Sequence, residues 1–325
     1  MTFIKTEKSF LKPPIDKVLI CICTYKRPKL FCNAIKSISN IKVPNGVNVE
    51  VLVVDNDVES SAKPIYETLM NVIPFKCHYV VEAKRGISNA RNCLLEESIK
   101  LNATHILLFD DDELLTSNVL VEHVKLYSEN KEACIISGPT PSKFDDNCPV
   151  YIKKHFLFKQ WSTKKTGLVR DNCAAGNVFF PVSVAKDCGL RFSSEYVFMG
   201  GEDGDFFSKA SKLGFTIVWC NEAIIGEVVP PARTTVSYIL KKCHYNGYAG
   251  TFAKFKSDNN LLKKLFYLTK LLFVLFINCL SLFPSLLLGP LGFLNVLGLL
   301  AKAFGKLIAL FKNEPYNFYK NVYGE

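Results

Sequence analysis

Four short runs rich in apolar and β-branched residues recur through the first third of the chain: VLICIC at Val18–Cys23, VEVLVV at Val49–Val54, CHYVV at Cys77–Val81 and ILLF at Ile106–Phe109. Runs of this length, with almost no polar alternation, suit strands buried on both faces. Helical patterns lie between them, through Leu30, Ala34, Ile35 and Ile38, and again from Ser88 to Ile99, where Ser88 is expected to cap the helix. Strand, helix and strand in alternation imply an α/β fold with a mostly parallel, doubly wound sheet. Ligands of such sheets bind beyond the carboxyl ends of the strands. Asp55-Asn56-Asp57 closes the second run and Asp110-Asp111-Asp112 the fourth, so both acidic clusters are expected at one crevice.

The second half is less regular. Ala133–Ser137, Asn177–Pro181 and Phe215–Trp219 read as further strands, residues 145–165 as mixed loop, and Glu202–Leu213 as a helix whose acidic first turn suits its positive end.

Three adjacent aspartates after an apolar strand require an explanation, because neighbouring like charges disfavour one another's ionised form. Asp110 and Asp112 are spaced to hold one hard divalent cation, magnesium or manganese. The alternative is a solvated turn that caps the next element. Two other stretches bear on the choice. Gly200-Gly201-Glu202-Asp203-Gly204-Asp205 brings acidic groups to a glycine-rich helix start. Lys84-Arg85-Gly86-Ile87-Ser88-Asn89-Ala90-Arg91-Asn92 is a basic turn entering a helix N-terminus, a natural seat for a diphosphate.

Taken in order, ICTYKRP, VVDND, KRGISNARN, LLFDDDE, AAGNVFF and GGEDGDF resemble the family 2 glycosyltransferases of the GT-A fold, over roughly residues 16–250. The resemblance implies a nucleotide-sugar donor, a UDP-sugar first, and an inverting, metal-assisted transfer to a saccharide or lipid-linked acceptor in surface-glycan assembly. It places Thr24, Tyr25 and Arg27 around the nucleotide, with Asp55 on the base and Asp57 beside it; for Asp55 a helix N-cap is the competing role. Arg85 and Gly86 fall beside the diphosphate, Asp110 and Asp111 on the donor, and Asp112 with Asp110 on the metal. Gly176 and Asn177 border the donor sugar, unless they form an ordinary turn before a strand. Asp203 matches the catalytic base, with Glu202 next in line and Asp205 as a structural cap. Arg233 and His244 are expected to be non-catalytic. The QxxRW signature of processive synthases is missing after Asp203, which favours single additions. A sugar-phosphate nucleotidyltransferase is a competing reading, but TYKRPKLF lacks the glycines of its signature loop. An inactive membrane-bound scaffold is another, although both acidic motifs are intact.

Composition sets the surroundings. The 325-residue chain is long enough for a large α/β domain with an appendage, giving expected divisions of a leader at 1–15, a catalytic domain at 16–250 and a tail at 251–325. Its formal charge is +10, and the residues from 261 onward carry seven lysines against two acidic groups. The stretch Leu271–Leu300 holds no charge at all. This combination points to an anionic membrane surface rather than nucleic acid as the partner of 261–312. Lysines on both flanks, Pro284 and Gly289-Pro290 disfavour a single span, so a membrane hairpin over about 265–311 or two short spans is expected, against a soluble helical subdomain. Twelve scattered cysteines without a CxxC pair argue against a zinc site or disulfide framework, and the N-terminus has no signal-peptide core. The expected location is the cytoplasmic face of the cell membrane.

Overall fold

The computed structural model describes residues 12–132, 134–158, 164–256, 260–312, 314, 316 and 318–320. Most of the expected leader and Ala133 therefore lie outside the described residues. The chain divides into two compact units. The first comprises the described residues of Met1–Lys143, Gln160–Val197 and Gly201–Val228, and the second those of Phe144–Lys159, Phe198–Gly200 and Val229–Glu325.

The first unit is built on β1 (Lys17–Thr24), β2 (Asn48–Asp55), β3 (Lys76–Val81) and β4 (His105–Asp110), paired in parallel in the order β3-β2-β1-β4. Helices α1 (Pro28–Ile38), α2 (Lys63–Leu69) and α3 (Ile87–Lys100) make the crossovers, and α4 (Val119–Glu129) follows a short strand, β5 (Glu113–Leu115). Side chains alternate across β1. Val18, Ile20 and Ile22 enter a core with Phe31, Ile35 and Phe109, whereas Leu19, Cys21 and Cys23 enter the opposite one with Leu94, Leu108 and Phe180. Both faces are dry, which is why the sequence shows continuous apolar runs rather than period-two patterning.

Beyond β4 the sheet departs from the parallel rule. With β6 (Cys134–Ser137), β7 (Ser142–Phe144), β8 (Val169–Arg170), β9 (Val178–Pro181), β10 (Thr216–Trp219) and β11 (Ile225–Val229), the large sheet runs β3-β2-β1-β4-β9-β6-β10-β8. Strand β9 is antiparallel to both β4 and β6, and β8 is antiparallel to β10. The connection from β8 into β9, residues 171–177, contains no crossover helix, so nothing obliges β9 to enter from the parallel side. Strands β5, β11 and β7 form a small second sheet. Two local expectations also change. Ser88 does not cap α3 but is buried within it, and Gly86 occupies the cap position at φ 132°. Asn177 precedes β9 with φ 53°, outside the strand region.

The short helices α5 (Val150–Lys153) and α6 (Ser183–Lys186) come next, α5 in the second unit and α6 in the first; α7 (Glu202–Leu213) belongs to the first unit. The remainder of the second unit is α8 (Val236–Phe255), α9 (Leu261–Leu280), α10 (Leu282–Leu286) and α11 (Gly289–Phe311). Thr235 caps α8 by accepting from Tyr238 N, and Asn260 caps α9 by accepting from Lys263 N. Arg233 lies in a short 3-10 turn, and His244 lies on α8 with its ring beside Tyr316. The expected division at residue 250 cuts through α8, whereas the structure divides at Val228–Val229. The physical reason is how closely α8 and α11 cross. A Cβ on Gly247 would stand 1.9 Å from Lys302 O, and one on Gly305 would stand 1.9 Å from His244 O. Only glycine lets the two backbones meet so closely.

This contact gives a test. Gly305→Ala is expected to push α8 and α11 apart and cost about 1–3 kcal/mol in urea unfolding. Gly250→Ala, also in α8 but with nothing near its Cβ, is expected to stabilise by roughly 0.5–1 kcal/mol through helix propensity. Equal effects at the two positions would disprove the close-crossing account.

Candidate active site

Parallel register brings the acidic clusters to one sheet edge. Thr24 pairs with Asp55, and Cys23 pairs with Asp110. Adjacent residues of the Asp110–Asp112 turn then project to different sides and meet different partners. Asp111 is fully buried, accepts a hydrogen bond from Thr24 Oγ1 at 2.8 Å and pairs with Arg27 Nη2 at 2.5 Å. Burial pushes its carboxyl up to about 7 against the pull of Arg27. Asp112 Oδ2 lies 3.2 Å from Arg27 Nη1. Asp110, with 36% of its side chain exposed, is the open member of the three.

Arg91 draws the second acidic motif to the first. Its side chain is 5% exposed, with Nη2 3.0 Å from Asp110 Oδ1 and Nη1 hydrogen-bonded to Glu202 Oε1. Strand β4 and the first turn of α7 are thus joined through one guanidinium. Glu202 is buried, and that burial pushes its carboxyl up to about 7 although Arg91 opposes the shift. Asp203, next along the helix, accepts from Gly204 N at 2.7 Å and from Ala175 N at 3.3 Å and remains part-exposed. Asp205 forms an i,i+4 pair with Lys209 at 2.7 Å rather than capping the helix. The loop preceding α7 is anchored by aromatic residues: Tyr319 N donates to Phe198 O at 3.0 Å, and the Tyr245 hydroxyl donates to Met199 O.

Several expected donor contacts prove to be internal. Asp55 is fully buried and accepts from Asp57 N at 3.1 Å, Ala62 N at 2.8 Å and the Tyr79 hydroxyl at 2.7 Å, so it orders the loop into α2 without capping the helix, whose N-cap position is Ala62. Asp57 is buried beside Lys26, 3.7 Å away, and accepts from Glu59 N at 3.3 Å. Asp111 is likewise sealed in. Asn177 donates to Pro139 O and Ala223 O and bonds His123 Nε2 through Oδ1, which uses all of its amide's polar atoms to tie three segments together. Gly176 makes room for Glu113, since a Cβ there would stand 2.4 Å from Glu113 Oε1. Glu113, absent from the sequence expectations, is buried and accepts from Asp110 N at 2.8 Å.

The basic turn is also wired inward. Gly86 N donates to Asn56 Oδ1 at 2.6 Å, and Asn56 Nδ2 donates to Glu82 O and Lys84 O. A Cβ on Gly86 would stand 2.0 Å from Val197 Cγ1, so position and conformation both demand glycine. Arg85 stacks over the Tyr25 ring at 4.6 Å. Arg91 and Asn56 lie within the motifs, but the sequence alone assigns them no role. The available signal for Arg91 was a cation directly after Ala90 on the face of α3 that also carries Leu94.

Two predictions follow from this wiring. Arg91→Ala is expected to cost about 3–5 kcal/mol in denaturant unfolding, because it strands Asp110 and Glu202 without their shared cation. Arg91→Leu combined with Glu202→Gln is expected to recover much of that loss. The second concerns pH. With a folded value near 7 against an ordinary 4.5, Glu202 keeps a proton in the native state that the unfolded chain has released. Its contribution to stability therefore falls as pH rises from about 4.5 to 7. Glu202→Gln is expected to flatten that fall in unfolding experiments across the window, and an unchanged slope would remove Glu202 as its source.

Comparison with known proteins agrees with the geometry. A family profile described as Glycosyl transferase family 2 matches residues 19–185. Succinoglycan biosynthesis protein ExoM of Rhizobium meliloti (strain 1021) is 29% identical over 231 residues, 70% of this chain and 72% of its own length. S. aureus TarS 1–349 in complex with UDP aligns with a TM-score of 0.52 at 16% identity, covering 90% of each chain; this chain spans 46% of the longer TarS chain. Mannosyltransferase PcManGT from Pyrobaculum calidifontis, in complex with GDP-Man and Mn2+, aligns with a TM-score of 0.60 at 16% identity, covering 89% of this chain and 86% of its own. At such identities the structural likeness establishes the GT-A-like mixed α/β fold. The family match runs from β1 through the acidic turn to β9, half of the chain, and on that match the protein belongs to glycosyl transferase family 2.

Proposed function

We propose that this protein is an inverting, divalent-cation-dependent glycosyltransferase. It moves a sugar from a nucleotide-sugar donor, a UDP-sugar first, to a saccharide or lipid-linked saccharide acceptor of a surface glycan, at the cytoplasmic face of the cell membrane. The observation that carries the reading is Arg91, which joins Asp110 of the donor-side turn to Glu202, the neighbour of Asp203. The kinship with ExoM supports the glycan assignment, and the UDP and GDP-Man complexes of structural neighbours support the donor class.

The residues fit a cation brought in with the donor. Asp110 and Asp112 offer hard oxygen ligands at an accessible strand end, and magnesium or manganese needs only one or two carboxylates when substrate phosphates complete its shell. Among the described residues no three His, Cys, Asp or Glu side chains stand together as a ready-made cage. When bound, the cation supplies charge stabilisation to the departing diphosphate. Tyr25 with its stacked Arg85, Thr24 and Arg27 line the nucleotide side, and the Gly176 backbone lies on the sugar side. Asp203 takes the proton from the acceptor hydroxyl as that oxygen attacks the anomeric carbon. Arg91 holds the Glu202 carboxylate beside it and so orients the first turn of α7.

Asp203→Asn is expected to lower kcat at least roughly 100-fold while leaving donor binding nearly intact. Asp112→Asn is expected to weaken cation-dependent donor binding itself. Calorimetric titration of UDP and GDP, with and without manganese, separates the two effects. Near-normal turnover by Asp203→Asn would reassign the base, and manganese-independent nucleotide binding would remove the cation from the reading.

A further inference from the structure

The second unit leaves a large apolar surface uncovered. Along α9, Leu265, Phe266, Leu272, Phe273, Phe276 and Ile277 are exposed, although such residues are normally the first to be buried. Exposure is greatest at the turn between α9 and α11, where Phe283 is 80%, Leu287 90% and Leu288 75% exposed. Continuous exposed apolar surface of this kind marks a contact with something apolar.

Charge indicates what that contact is. Lys264 of α9 lines the same cavity as Ala309, Leu310, Phe311 and Lys312 of α11, so the start of α9 lies beside the end of α11. The two helices therefore run as an antiparallel hairpin, and its six lysines all lie in the half away from the turn: Lys263, Lys264 and Lys270 on α9, Lys302 and Lys306 on α11 and Lys312 at its C-cap. No acidic residue interrupts the segment from 261 to 312. The opposite end, Leu271–Ala301, carries no charge. A basic collar below an apolar tip complements an anionic bilayer surface, with lysines at the headgroups and the tip among the acyl chains.

Length sets the depth. The uncharged part of α9, Leu271–Leu280, rises about 15 Å, whereas on α11 Asn295 accepts from Phe156 N and Gly298 lies against His155 and Phe156, so protein already covers that helix from Leu294 onward. A bilayer core is about 30 Å thick, so the exposed tip enters no more than one leaflet. Helix α11 taken alone is long and apolar enough to cross a membrane. A crossing centred on it, however, would place Lys302 near the midplane, where a charge is strongly disfavoured. We propose that α9, α10 and α11 form a hairpin that inserts its Phe283–Leu288 tip into one leaflet of an anionic membrane, held at the headgroups by the collar of six lysines. Both ends of the hairpin then leave on the same side. The proposal deepens the membrane part of the proposed function, but it does not depend on the transfer chemistry.

The experiment is flotation of the full chain with vesicles of phosphatidylcholine alone or with a third phosphatidylglycerol, followed by cysteine mapping. The full chain is expected to float with the anionic vesicles. Phe283→Asp with Leu287→Asp is expected to leave it in the dense fraction without a change in melting temperature, because both side chains are already solvent-facing. Each collar lysine changed to Gln is expected to weaken anionic-vesicle binding about fivefold. Leu287→Cys, compared with the parent chain in inside-out and right-side-out membranes, is expected to gain no reactivity toward an impermeant maleimide from either face. Failure of the full chain to float, or burial of the apolar face in a soluble dimer, would overturn the proposal. Labelling of the tip cysteine from the far side would overturn it in favour of two spans. Because flotation needs no donor or acceptor, loss of transfer activity with intact flotation would count against the catalytic reading alone.

Discussion

A guanidinium shut away from solvent between Asp110 and Glu202 is the interaction on which the acidic edge of this protein depends. Strand β4 and helix α7 reach Arg91 from distant parts of the chain, and its charge opposes the upward shift that burial imposes on the Glu202 carboxyl. Arg27 serves the inner half of the same edge by pairing with Asp111 and Asp112. The density of aspartates in LLFDDDELL is therefore tolerated even before any metal or donor arrives, because two arginines divide the charge among them. The arrangement also leaves Asp110 and Asp203 partly exposed.

The second unit depends on a different constraint, the close crossing of α8 and α11 at Gly247 and Gly305. Small residues let α11 pack closely: Gly305 meets His244 and Tyr248 of α8, Gly298 meets His155 and Phe156, and Ala303 and Ala309 are also buried. Helix α9 is left with a single buried residue, Leu271. Among the described residues its remaining apolar side chains are largely uncovered, so the packing that closes one side of the unit is also what opens the other.

Much of the fold was legible because it is written locally. Continuous apolar runs marked β1, β2 and β4 to within a residue or two, and the acidic clusters fell at strand ends as expected. Strand β9 was located correctly, yet its antiparallel direction could not be inferred, since direction follows from its partners β4 and β6 and not from VFFP itself. Asp55 and Asn177 show where motif reasoning stops. Both occupy expected positions at the edge, but one orders a loop and the other ties three segments together, because buried polar groups must find partners and the nearest ones belong to the protein. Ser88 was misread for a related reason: the chain enters α3 through a glycine whose close approach to Val197 leaves no room for a side-chain cap.

The sequence by itself determined the alternation of buried strands and helices, the placement of acidic groups at the carboxyl edge, the membership in a glycosyltransferase family and the charge-free stretch flanked by lysines. Those properties depend on periodicity, local propensity and the order of motifs, all of which are read along the chain. Only the tertiary structure decided which of the three aspartates faces outward, that Arg91 joins residues 19 and 111 positions away, and that Lys264 and Lys312 line one cavity. The physical reason is common to all three: pairing and burial of charge are settled by distances in space, which the spacing of residues along a chain does not specify.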